Sequence, residues 1–160
     1  MATVNLSDYQ PLQICNADEL NIGIVFSEWN SFVTHNLRDA CLDILQHEGV
    51  KAENISVFQV PGAFELSYAA MQLCKTKKYD AVISVGCVIR GETPHFDFVC
   101  SAVAQGIKDC NILTDVPTIF CVLTDDTKEQ SLARSGGNLG NKGVEAAVTA
   151  LQMIDFKKKI

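Results

Sequence analysis

Residues 79–99 read YDAVISVGCVIRGETPHFDFV, and this stretch decides the fold. Its first half, 79–89, is an unbroken apolar run rich in β-branched residues. A strand that is apolar on both faces belongs inside a parallel sheet, where helices cover it above and below. The second half opens with Gly91-Glu92-Thr93-Pro94 and then takes helical spacing from Thr93 to about Asp109. Thr93 suits the N-cap. Pro94 suits the first helical position, where a missing N–H costs nothing.

The same alternation continues in both directions. NIGIVFS (21–27), ISVFQV (55–60) and PTIFCVLT (117–124) are further short strands. Between the first two, residues 31–49 carry Val33, Leu37, Cys41, Ile44 and Leu45 on one helical face. Asn30 or Ser31 can cap that helix, and Gly49 can end it. After the break at Pro61-Gly62, residues 63–78 return to helical spacing through Leu66, Ala69, Ala70 and Leu73. Two more helical stretches, about 127–135 and 141–156, flank the glycine-rich SGGNLGNKG. Strands alternating with helices give a parallel sheet sandwiched between helical layers, an α/β fold of αβα type with four strands. Residues 1–20 lack periodicity and read as an N-terminal arm, and 21–160 read as a single domain.

Bulk composition narrows the function. A chain of 160 residues is one domain by the usual size of roughly 100–200 residues each. Thirteen basic against nineteen acidic residues give a net charge of −6. That sign argues against nucleic acid or an anionic membrane as partner, because phosphate backbones demand clustered cations. The run Lys157-Lys158-Lys159 reads as a solvated helix end. Seven cysteines, none in a C-x-x-C pair, suit buried thiols in a reducing, cytoplasmic setting. There is no signal-peptide pattern and no apolar run of ~18 residues. Three scattered histidines give no metal-ligand spacing, so no metal is expected.

In parallel sheets ligands bind beyond the carboxyl ends of the strands. Those ends here are SEWN (27–30), PGAFE (61–65), IRGETPH (89–95) and TDDT (124–127). Trp29 can stack on a flat ligand. The backbone of Ala63, Phe64 and Glu65, with the Glu65 carboxylate, can hold ligand hydroxyls. The free amides of the helix start after Gly91 make an anion site. His95 would lie in its first turn, where the dipole disfavours imidazolium and keeps an imidazole able to accept and return protons. Phe120, inside a strand, reads as core. Arg134 at a helix end and Lys142 in GNKG read as surface cations, and His35 and His47 as surface residues. Singly, each of these residues has an ordinary structural explanation. Together, an aromatic plane, a hydroxyl-holding loop, an anion site and a proton carrier share one sheet edge.

NIGIVFSEWN, VPGAFEL, SVGCVIRGETPHFDFV, PTIFCVLT and GNKGVEAA resemble, in order and spacing, the lumazine synthase family from about Ile22 to Met153. The resemblance implies a flavodoxin-like sheet whose N-terminal arm can add a strand to a neighbouring subunit. It implies a cofactor-independent transferase for the penultimate step of riboflavin biosynthesis. In that step 5-amino-6-(D-ribitylamino)uracil condenses with 3,4-dihydroxy-2-butanone 4-phosphate, releasing phosphate and water. Matched by position, Trp29 stacks on the pyrimidine, with Asn30 a secondary polar contact. Ala63, Phe64 and Glu65 bind the ribityl chain, and Cys87, Val88 and Ile89 contact the pyrimidine edge. Glu92 and Thr93 form the phosphate turn, and His95 transfers protons. Phe120 and Arg134 reach the heterocycle and the phosphate from a neighbouring subunit, with Lys142 a secondary contact. Family members assemble as pentamers, in some cases as shells of sixty subunits. The chain departs from common family choices at Glu28, Trp29, Ser67 and Cys87. Two other readings stay open on residues alone: a flavin-binding or structural protein that keeps this fold without the chemistry, and a mononucleotide carrier.

Overall fold

The computed structural model describes residue 5 and residues 7–160. Four strands, β1 (Ile22–Ser27), β2 (Ile55–Val60), β3 (Ala81–Ile89) and β4 (Thr118–Asp125), form one sheet in the order β2-β1-β3-β4. All three pairings are parallel. The helices are α1 (Ser31–His47), α2 (Leu66–Lys75), α3 (His95–Thr114), α4 (Lys128–Arg134) and α5 (Lys142–Lys159). Strand β1 is buried throughout and β3 from Ala81 to Cys87, as the apolar run requires.

The pleat sorts the side chains into two cores. Ile22, Ile24, Phe26, Ile83, Val85 and Cys87 point to one face, where they meet Val33, Leu37, Cys41 and Leu45 of α1 and Ala146, Ala147, Ala150 and Leu151 of α5. Val25 and Val82 point to the other face, against Leu66 and Ala70 of α2 and Val103 and Ile107 of α3. Each fully buried aliphatic side chain contributes about 1.5–3 kcal/mol. The result is a three-layer sandwich with α1 and α5 on one side and α2 and α3 on the other.

Helices α1 and α5 pack closely because Gly143 has no side chain. A Cβ there would lie 2.9 Å from the Leu37 carbonyl carbon and nearer still to its oxygen. The space is used for contact: the Cys41 thiol donates to the Gly143 carbonyl at 3.2 Å.

Several boundaries differ from the sequence expectation. Helix α3 starts at His95 and runs to Thr114, and its N-cap is Pro94 in right-handed helical geometry, without a side-chain cap. Thr93 therefore does not cap it. Helix α2 starts at Leu66, because residues 63–65 form a turn and the Glu65 carboxylate accepts from the Gly62 amide at 3.1 Å. The glycine-rich connection after α4 hides a hairpin, β5 (Ser135–Gly137) with β6 (Gly140–Asn141). Its last residue, Asn141, caps α5 by accepting from the Gly143 amide at 2.9 Å.

The arm expected over 1–20 lies outside the described residues at 1–4 and 6. Its described part folds along its own chain. Leu12 and Ile14 pack on the α1–α5 core. The Tyr9 hydroxyl and the Leu12 amide donate to the Glu48 carboxylate at 2.9 and 3.0 Å. Partial burial, then the hydrogen bond to Glu48 and its charge, push the Tyr9 phenol up to about 12.

Gly143→Ala is expected to destabilise the fold by about 1–3 kcal/mol through overpacking against backbone that cannot yield, read as a fall in Tm. The raised Tyr9 value means its contribution is whole below the free-tyrosine range near 10 and lost as pH climbs towards about 12. Alkaline unfolding of Tyr9→Phe should lack that step.

Candidate active site

In the order β2-β1-β3-β4 the chain reverses its winding between β1 and β3, and the crevice at such a point is where open α/β sheets bind ligands. Asn30 spans it. The residue sits in the left-handed region at φ 61°, which asparagine tolerates. Its side chain does not cap α1 but donates to the Cys87 carbonyl across the crevice at 2.9 Å. The β1–β2 ladder continues one step further, with Glu28 and Trp29 amides donating to the Val60 and Pro61 carbonyls at 2.8 and 3.0 Å.

That backbone path lays the Trp29 ring on Gly62. A Cβ at position 62 would fall 2.5 and 2.6 Å from ring atoms Cε3 and Cζ3, so only glycine permits this seat. Trp29 is 66% and Phe64 60% exposed, while Ala63 is buried beneath them. An exposed indole thus stands beside a turn held by Glu65. Val88 and Ile89 lie half-buried at the strand end.

Past β3, residues Glu92, Thr93, Pro94 and His95 are all exposed. His95 is the first residue of the twenty-residue α3. The leading N–H groups of a helix have no partner within it, and with the dipole they favour an anion. His95 therefore stands where an anionic group would dock.

Phe120, Arg134 and Lys142 come together elsewhere. They line a groove of about 800 Å³ along the unpaired edge of β4, together with Glu145, Ala146 and Met153. None of Trp29, Phe64, Glu65, Cys87 or His95 lines it. Phe120 is 43% exposed, which corrects its reading as core: among the described residues no strand pairs with the outer edge of β4. Arg134 donates to the Gln130 carbonyl at 3.0 Å, and its Nε lies 3.9 Å from Asp125. Lys142 is engaged by Glu145 at 2.7 and 2.9 Å and is not a free surface cation.

Sequence reasoning passed over a buried polar chain at the ends of β3 and β4. Cys87 Sγ meets Ser131 Oγ at 3.5 Å, and Ser131 donates to Asp125 at 2.8 Å. Burial pushes the Cys87 thiol up to about 11, against the Ser131 hydrogen bond and with help from the Asp125 charge, so it stays protonated and is no nucleophile. No motif marks such a chain, since its members are far apart in sequence. Glu28, one departure from the family, pairs with His35 at 3.2 Å. Among the described residues no group of three or more His, Cys, Asp or Glu side chains is placed to hold a metal.

The sequence profile described as 6,7-dimethyl-8-ribityllumazine synthase matches residues 19–158. The chain belongs to the lumazine synthase family. Proteins named 6,7-dimethyl-8-ribityllumazine synthase from three bacteria agree along nearly all of it. The Parabacteroides distasonis protein is 53% identical over 158 residues, covering 98% of this chain and 99% of its own. The Flavobacterium psychrophilum protein is 52% identical, covering 99% and 84%. The Phocaeicola vulgatus protein is 48% identical, covering 100% and 96%. In this lumazine synthase family member Trp29 is the sole tryptophan, so a flat heterocycle in the crevice should quench its fluorescence. Gly62→Ala should lift the indole and weaken binding of a lumazine analogue about tenfold, the value of one good aromatic pair.

Proposed function

We propose that this protein condenses 5-amino-6-(D-ribitylamino)uracil with 3,4-dihydroxy-2-butanone 4-phosphate to 6,7-dimethyl-8-ribityllumazine, the penultimate step of riboflavin biosynthesis. The observation that carries this is the placement of His95 as the first residue of α3, exposed at the same sheet end as the Trp29 plane, in a chain of this family. Trp29 stacks on the pyrimidine, whose edge meets the backbone of Cys87, Val88 and Ile89, while Asn30 holds that strand end. Ala63, Phe64 and Glu65 take the ribityl hydroxyls. Glu92, Thr93 and the leading amides of α3 take the phosphate.

The chemistry asks for proton transfers and no redox step. An amine adds to the ketone and water leaves to give a Schiff base. Phosphate then departs by elimination, and ring closure expels a second water. Each step moves a proton at or near one carbon skeleton, so a single imidazole serves several of them, worth roughly 10²–10⁴-fold. Holding two substrates in register supplies much of the rest.

Phe120 and Arg134 complete the site of an adjoining subunit, with Lys142 behind them. Support comes from their shared groove on the β4 edge, which contains none of Trp29, Phe64, Glu65, Cys87 and His95. Exposed Phe32, Phe58, Tyr68, Phe98, Ile112 and Leu113 leave large apolar side chains on the surface of a single protomer for subunit contacts to cover. The assembly is a pentamer, in which the first residues of the arm can reach a neighbour's sheet edge and from which a sixty-subunit shell can be built. The cysteines suit a cytoplasmic location.

Mixing purified protein with both substrates and following lumazine absorbance tests the activity. His95→Ala should lower kcat about 10²-fold or more without abolishing turnover, and unchanged kcat would remove its proton role. Arg134→Ala should raise KM for the phosphorylated ketone about tenfold or more, as expected for losing a charged hydrogen-bond pair.

A further inference from the structure

The four residues 91–94 that precede α3 have little of their own to hold them. Among the described residues the side chains of Glu92 and Thr93 make no hydrogen bond to the rest of the protein, and a Cβ at Gly91 would meet nothing within 4 Å. What spans this turn is Arg90, the residue just past β3. Its Nε donates to Asp126 at 2.7 Å, in the connection from β4 to α4. Its two terminal nitrogens donate to Asp97, in the first turn of α3, at 3.3 and 3.1 Å. The guanidinium lies 4.1 Å from the centroid of the Phe96 ring, and the Arg90 amide donates to the Asp125 carbonyl at 3.0 Å. Asp126 is fixed in turn by Gln130, whose side chain accepts from the Asp126 amide at 2.9 Å.

We propose that Arg90 is a positioning residue. It braces the 91–94 turn between α3 and the β4–α4 connection, and so sets the geometry in which that turn takes the substrate phosphate. This rests on the phosphate reading of the turn given above. One exposed ion pair contributes little, but a planar fork shared by two carboxylates and stacked on an aromatic ring is fixed in orientation. The cluster's charges also separate this role from a simpler one. Two carboxylates outweigh one guanidinium, so the group is net negative and is a poor direct ligand for an anion. Its use lies in shape.

The two roles predict opposite signs. The double variant Asp97→Asn/Asp126→Asn removes two negative charges beside an anion site. If Arg90 contacted phosphate itself, freeing it should lower KM for the phosphorylated ketone. As a brace, its loss should raise that KM at least about fivefold, the equivalent of one lost charge-assisted contact. KM for the ribitylaminouracil should stay within about twofold, and kcat should fall far less than in His95→Ala. Arg90→Lys should behave like the double variant, because a point charge cannot hold both carboxylates. General loosening of the fold would move both KM values and Tm together.

Hydrogen exchange reads the brace without substrate. The hydrogen-bonded amides of Arg90 and Asp97, which donate to the Asp125 and Pro94 carbonyls, should exchange faster in the double variant while those of β3 from Ala81 to Cys87 do not change. Unchanged exchange, or an unchanged or lowered KM, overturns the brace. Wild-type protein that forms no lumazine would instead overturn the phosphate reading, and exchange would still decide the brace.

Discussion

A strand without a polar face can exist in water only if something covers both of its sides and both of its edges. β3 is such a strand, buried over seven consecutive residues from Ala81 to Cys87. Its backbone is satisfied by β1 on one edge and β4 on the other. Its side chains are satisfied by α1 and α5 on one face and by α2 and α3 on the other. Six of the other elements, β1, β4, α1, α2, α3 and α5, meet those four demands. Once they are met, the carboxyl end of β3 is the place where backbone, helix start and neighbouring loops converge, and the residues of chemical interest follow from it.

Topology then divides the labour. The loops after β1, β2 and β3 leave the same end of the sheet, where the indole sits on the Glu65 turn and His95 opens α3. The edge of β4 is left unpaired, and it gathers Phe120, Arg134 and Lys142 into a different one. A single chain thus carries two partial surfaces: one with the flat indole and an exposed imidazole, the other with the cation and a second aromatic ring.

The strands and the helical faces were legible because each rests on local periodicity. Val33, Leu37, Cys41 and Leu45 are all buried as their spacing demands. What failed was whatever depends on partners distant in sequence. Phe120 looked like core because its neighbours are apolar, yet among the described residues no strand pairs with the outer edge of β4. Thr93 looked like a cap, but its side chain takes no amide of the first turn of α3, and the cap position falls to Pro94, which has no side-chain cap to offer. Asn30 stands at the cap position but spends its amide on Cys87, 57 residues away. The Arg90 cluster joins residues 90, 97 and 126, and the thiol–hydroxyl–carboxylate chain joins 87, 131 and 125. No pattern along the sequence announces either.

The seat of the indole on Gly62 links two positions that the sequence keeps 33 residues apart. Any side chain at 62 evicts the ring, and a smaller aromatic at 29 leaves bare backbone beneath it. Across divergence these sites are therefore free to drift only in concert. An alignment of relatives should show them covarying, with a non-glycine at the second accompanied by loss of the large ring at the first.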